Sequence, residues 1–355
     1  MSTSFNVLIL GASYGSLLAS KLLMAGHAVT LVCRPTNAEL INREGIRTRI
    51  TVKGFSALFE IDSRRLPGRL SAAGPHQVNP ADFDLVVLAM QEPQYGAPDV
   101  RPLMQAIGAA AVPCLSLMNI PPLPYLKRIP GVPVDACRKC YSEPAVWDGF
   151  DPALMTLCSP DPQAFRPADE PANVLQVRLP SNFKSAPFGT AAPTAMLRQM
   201  ETDIDNALYD AGGGPMQMPV KLRVHDSVFV PLAKWSMLMA GNYRCVHADG
   251  IRSIERAVHG EPDIARQVYE WTYQLCKTLG AKDSDLVTFD KYAEAARKLI
   301  NPSSVARSVY GGATDVERLD LLVQTIAAGR GLRHPAVDET VALIDAKLHA
   351  NRNPV

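Results

Sequence analysis

Lys234 is the only charge between Asp226 and Arg244, in a run that reads Ser227-Val228-Phe229-Val230-Pro231-Leu232-Ala233-Lys234-Trp235-Ser236-Met237-Leu238-Met239-Ala240-Gly241-Asn242-Tyr243. A lysine so placed has two fates. It snorkels to water from the rim of a core helix, or it is desolvated, its pKa falls, and it becomes an acid or base near neutral pH. Leu238 and Asn242 follow at one and two helical turns, on the face that Lys234 would occupy. Ser303 and Asp315 offer a hydroxyl and a carboxylate further on, although both residue types are equally at home as helix caps. Asn119 closes an apolar run over Val112–Met118, where it is either a ligand group or a turn residue.

The N-terminus contains the element that could bring a redox partner to such a lysine. Phe5–Leu10 is a short apolar run of the buried parallel-strand kind, and Gly11-Ala12-Ser13-Tyr14-Gly15-Ser16 follows it. Leu17, Leu18, Leu22 and Leu23 continue in helical spacing to Gly26, and Ala28–Cys33 reads as a second strand. Strand, glycine turn, helix and strand form a dinucleotide-binding unit, with the pyrophosphate at the helix N-terminus. Gly11 holds the first position of the G-x-G-x-x-G fingerprint, whereas Ser13 and Ser16 stand at the second and third. Ser13 crowds a pyrophosphate or donates a hydrogen bond to it, and Gly15, one residue early, is expected to loosen the turn. A doubly wound domain that binds no dinucleotide is the alternative. After the second strand comes Cys33-Arg34-Pro35-Thr36 rather than an acidic residue, which favours a 2′-phosphate and therefore NADP.

Composition narrows the class further. The 355 residues are 47% hydrophobic and 20% charged, enough for two domains with cores. A net charge of +1 gives no electrostatic case for nucleic acid or an anionic membrane surface. No apolar stretch approaches eighteen residues and Met1–Ser4 lacks a signal-peptide pattern, so a soluble, cytoplasmic protein is expected. Seven cysteines suggest reduced thiols. Cys137-Arg138-Lys139-Cys140 has zinc or redox spacing but no second ligand pair, and no metal is expected.

The fold class expected is α/β: an N-terminal Rossmann-type doubly wound sheet over residues 1–190, then an all-helical domain over 191–355. Residues 46–52 and 55–60 alternate around Lys53-Gly54 as an inserted hairpin. Residues 84–90 form a buried strand that leads into Gln91-Glu92-Pro93-Gln94, a loop expected to face the cofactor. Leu175–Leu179 is expected among the last strands of that sheet, beyond a proline-rich stretch. Helices are expected over 192–210, 231–243, 262–279, 286–299, 314–329 and 335–349. That organisation places an active site in the cleft between the domains.

These elements and residues resemble the ketopantoate reductase family over nearly the whole chain. Lys234 to Asn242 resembles its K-L-x-x-N-x-x-x-N helix, Asn119 its strand-terminal asparagine, and Ser303 with Thr314-Asp315-Val316-Glu317 its S…T-E-I-D segment. Gly331-Leu332-Arg333-His334-Pro335 resembles its late G-I-x-x-P turn. The resemblance implies an NADPH-dependent reductase of a 2-keto acid, with a helical domain of the 6-phosphogluconate dehydrogenase C-terminal type, a small-molecule substrate and a possible homodimer. It implies Lys234 as proton donor and Asp315 as the acid that fixes its ammonium. Gly11, Ser13, Tyr14, Gly15, Ser16, Arg34, Met90, Gln91 and Asn119 would contact NADP, and Asn119, Leu238, Asn242 and Ser303 the substrate. Gln91 replaces the family's loop lysine, Leu238 the middle asparagine of the helix, and Asp315 a glutamate, so the substrate implied differs from ketopantoate itself.

Overall fold

The apolar run at the N-terminus is strand β1 (Asn6–Leu10), with Val7 to Leu10 fully buried, and the turn after it opens helix α1 (Gly15–Met24). There follow β2 (Ala28–Val32), α2 (Pro35–Glu44), β3 (Arg47–Thr51), β4 (Leu58–Asp62), β5 (Arg69–Ala73), β6 (Leu85–Leu88), α3 (Arg101–Ala110) and β7 (Cys114–Ser116). Then come β8 (Met155–Ser159), β9 (Gln163–Phe165), β10 (Val174–Leu179), β11 (Phe183–Ser185), β12 (Tyr209–Asp210), β13 (Pro215–Met216) and β14 (Leu222–Val224). This computed structural model describes residues 4–55, 58–210 and 214–353, so Ser56 and Ala57 of the expected hairpin, and Met1 to Thr3, lie outside the described residues.

Among the described residues the main sheet has eight strands in the order β14-β11-β8-β7-β6-β1-β2-β5. β5 to β8 and β1 to β2 run parallel, as the Rossmann reading requires, and β11 is antiparallel to β8. The strand order reverses at β1, between β2 and β6, so the crevice for a ligand lies beyond the carboxyl ends of β1 and β6. β5 was not expected. It is a largely exposed edge strand, so its sequence lacks the apolar run that marks a buried one.

Two expectations change here. β10 does not extend the main sheet; it pairs parallel to β3 in a four-stranded sheet ordered β4-β3-β10-β9. The helix Ala191–Asn206 does not open a helical domain at 191, because its buried Leu197, Met200 and Ile204 share one core with β1 and α1. By internal contacts, residues 1–90, 94–125 and 145–226 form one unit, and 91–93, 126–144 and 227–355 form a second.

The second unit is built on helices, with one small ribbon of Val246–His247 and Gly250–Ile251. The run around Lys234 is its centre. A 3-10 turn at Val230–Leu232 leads to α-helix Ala233–Met237, π-helix Leu238–Asn242 and a further 3-10 turn at Tyr243–Cys245. Helices Ile254–His259, Pro262–Thr278, Phe289–Ala296, Ser304–Tyr310, Leu319–Ala328 and Pro335–Arg352 follow. Pro231, Pro262 and Pro335 each stand in a first turn, where the missing N–H costs nothing.

Candidate active site

In the first unit the glycine turn is set by two close approaches. Gly11 has φ +105°, and a Cβ there would lie 2.7 Å from the Ala89 carbonyl oxygen and 2.8 Å from Met90 Cγ. Only glycine fits both the backbone angle and the space. Gly15 does not loosen the turn as expected. A Cβ on it would fall 2.6 Å from Ile9 Cγ2, so it does what the third fingerprint glycine does and lets α1 pack tightly on β1. With that position supplied by Gly15, Ser16 turns inward, buried, its hydroxyl donating to the Ala12 carbonyl at 2.6 Å. Ser13 is exposed at the turn.

The residues around the turn differ in exposure and partners. Tyr14 is half-buried: its hydroxyl donates to the Pro162 carbonyl at 2.8 Å, its ring meets Phe183 edge-on, and burial raises its pKa well above the usual range. Met90 donates its N–H to the Tyr95 hydroxyl at 2.9 Å and lines the floor beneath Gly11. Gln91 is exposed, and Asn119 is half-buried just past β7. Arg34 is exposed at the N-cap of α2, past the end of β2, and makes no ion pair with a carboxylate among the described residues. Arg166, which carries no sequence signal in its proline-rich stretch, donates from Nη2 to the Ala12 carbonyl at 2.9 Å.

In the second unit Lys234 is half-buried in the first turn of its helix, flanked by the buried Trp235 and Ser236. The π-turn that follows rotates less per residue than an α-turn, which brings Asn242 back toward the Lys234 face, and Asn242 is half-buried too. Gly241 makes room for this. The Tyr292 hydroxyl donates to the Met237 carbonyl at 3.0 Å and would lie 2.0 Å from any Cβ at 241.

Three residues take roles other than those expected. Leu238 is 3% exposed and belongs to the core of its unit. Ser303 is buried and caps helix Ser304–Tyr310: its hydroxyl accepts the Ala306 N–H at 3.1 Å and donates to the Asn242 carbonyl at 2.6 Å. Asp315 is exposed, accepting from Thr314 and pairing with Arg352 at 2.8 Å, because the segment carries it to the surface. Two buried carboxylates carry no role in the sequence reading: Glu317 stands there only as the last residue of the T-E-I-D-like segment, and Glu92 only as part of a loop. Glu317 is buried and its carbonyl accepts from the Tyr243 hydroxyl at 2.6 Å. Glu92, also buried, donates its N–H to Glu317 Oε1 at 3.3 Å and takes the Ser142 N–H on both oxygens at 3.2 Å. Burial pushes the Glu92 carboxyl up to about 7 against the opposing pull of the Ser142 N–H.

Cys137 and Cys140 are buried, with thiols pushed by burial up to about 12 and about 11, so neither is a ready thiolate. No cluster of three or more metal-ligating side chains occurs among the described residues.

With this geometry, solved structures can be compared over the full length. A ketopantoate reductase of the PanE/ApbA family from Ralstonia eutropha JMP134 superposes with TM-score 0.60 at 18% identity, covering 98% of this chain and 100% of its own. The fold is that of the ketopantoate reductases. The dimeric ketopantoate reductase of Staphylococcus aureus gives 0.62 at 12% identity over 98% and 99%. D-mandelate dehydrogenase, solved with NADH and anilino(oxo)acetate, gives 0.64 at 13% over 98% and 99%. No protein-family model and no curated protein matches the chain.

Proposed function

We propose that this chain is an NADPH-dependent oxidoreductase that reduces the carbonyl of a 2-keto acid or a related compound, with a substrate other than ketopantoate. The observation that carries the reading is Gly11, held at φ +105° against Ala89 and Met90 where the strand order reverses. A first glycine with that backbone angle and no room for a Cβ is what the tight strand-to-helix turn of a dinucleotide site requires. Ser13 offers it a free-standing hydroxyl, α1 its N-terminus, and Arg34 a cation for the 2′-phosphate. When bound there, the nicotinamide supplies the hydride.

The remaining chemistry belongs to side chains. Lys234 gives its proton to the carbonyl oxygen as negative charge gathers on it. Asn242 on the same face, and Asn119, orient the substrate. Of the two carboxylates in Thr314-Asp315-Val316-Glu317, the buried Glu317 suits holding an ammonium better than the exposed Asp315. The fold shared with enzymes named for 2-keto acid chemistry supports the reaction class. A second reading, a non-redox protein on this scaffold, is favoured by the inward turn of Tyr14 and Ser16, which leaves fewer fingerprint groups for a nucleotide.

The test is NADPH oxidation with a panel of 2-keto acids, followed by Lys234→Ala on the best of them. Loss of the proton donor should lower kcat by about two to four orders of magnitude, with NADPH affinity nearly intact. A kcat within about threefold of the parent would remove Lys234 from the mechanism. No turnover of any panel member with bound NADPH would favour the second reading.

A further inference from the structure

The segment between β8 and β10 lies against the glycine turn and is held there twice. The Pro162 carbonyl accepts from Tyr14, and four residues later the Arg166 guanidinium donates to the Ala12 carbonyl at 2.9 Å. Between the two, Arg178 stacks over the Phe165 ring at 4.3 Å and steadies the strand that presents Arg166. The turn itself is tied to the end of β2, since the Gly11 N–H donates to the Val32 carbonyl at 3.0 Å. Cys33 and Arg34 come next in the chain. Arg166 is therefore delivered to the same corner as Arg34, by a segment far away in sequence.

This corner lacks a counter-charge. Neither Arg34 nor Arg166 forms an ion pair with a carboxylate among the described residues, and the nearby acids are engaged elsewhere, Asp161 with Lys184 and Glu170 with Arg49. Burial pulls the Arg166 pKa down, the Cys33 thiol opposes this, and the like charge of Arg34 acts with burial. Two neighbouring guanidiniums, one half-buried and holding only a neutral carbonyl, are costly without an anion. A phosphate monoester dianion, with its several acceptor oxygens, is the anion that guanidinium forks fit.

Resting on the NADPH reading above, we infer that Arg166 is a second reader of the 2′-phosphate, closing on it opposite Arg34. On binding, its Nη2 exchanges the Ala12 carbonyl for a phosphate oxygen, or shares between them. Nucleotide preference would thus be set in part by the β9 segment, outside the βαβ unit that holds the rest of the cofactor.

The test uses 2′,5′-ADP and ADP as probes, with binding read by calorimetry on the full chain and on Arg166→Gln. The variant should weaken 2′,5′-ADP by about tenfold or more, the size of one lost charge-assisted bond, while ADP changes by less than about threefold. Equal loss of both probes would assign Arg166 to the pyrophosphate and overturn the inference. Tight 2′,5′-ADP binding that survives the substitution overturns it while leaving the NADPH reading in place. A parent that binds neither probe overturns both. A measurement that needs no variant stands beside these: phenylglyoxal modification of Arg166 in the parent, followed by mass spectrometry, should be suppressed by 2′,5′-ADP and not by ADP. Equal protection by the two probes, or protection by neither, contradicts the assignment.

Discussion

Lys234 and Glu92 show how little a residue's type reveals until its surroundings are known. The lysine was conspicuous because nothing near it in the chain is charged. The glutamate was invisible in a loop with two glutamines, yet burial raises its pKa to about 7, in a buried contact with Glu317. A carboxyl whose pKa rises on folding binds its proton more tightly in the folded chain. Its stabilising contribution is therefore complete below about pH 4.5, the ordinary glutamate value, and is lost as the pH climbs through about 7. Glu92→Gln should abolish that loss, making the variant more stable than the parent above pH 7 by an amount on the order of 3 kcal/mol or less. Denaturant unfolding at several pH values checks it, and parallel pH profiles for parent and variant would show that Glu92 does not titrate as its burial implies.

At the scale of elements, the glycine turn shows which parts of a motif are tied to position and which to space. Gly11 is required by its backbone angle, and it stands where the fingerprint puts it. The third glycine is required by the approach of α1 to β1, and Gly15 meets that need one residue early, so Ser16 at the third position does not deprive the turn of its packing glycine. A methyl at 15 would sit 2.6 Å from Ile9 Cγ2 and 3.3 Å from Ala89 Cβ, with a buried strand behind both. Gly15→Ala should therefore cost on the order of 1–2 kcal/mol, overpacking outweighing the helical preference for alanine. Thermal unfolding tests this, and an unchanged or raised Tm would mean that the helix shifts freely. The π-turn at Leu238–Asn242 was not legible, because nothing in the apolar run from Lys234 onward departs from α-helical spacing. What betrays it is Gly241, small because Tyr292 needs its space.

For the whole molecule, the order of elements was legible where burial is two-sided, as in β1, β2, β6 and β7, and in the long amphipathic helices Pro262–Thr278 and Pro335–Arg352. It failed where an element is an exposed edge, as in β5, or where its partner is set by tertiary pairing, as in β10 beside β3. The same limit holds for the site. Gly11 stands out by its place in the turn and has the backbone angle that place requires, whereas the surroundings of Arg166, Glu92 and Glu317 depend on which distant segments meet. No helix among the described residues is long and apolar enough to cross a membrane, and a net charge of +1 provides no pull toward nucleic acid. The proposed function depends on a bound nucleotide. Titrating the purified protein with NADPH and with NADH tests it most directly. NADPH should bind at least about tenfold tighter, roughly 1.4 kcal/mol, with that preference reduced in Arg34→Ala. Equal affinities, tighter binding of NADH, or a preference unchanged by Arg34→Ala would contradict it.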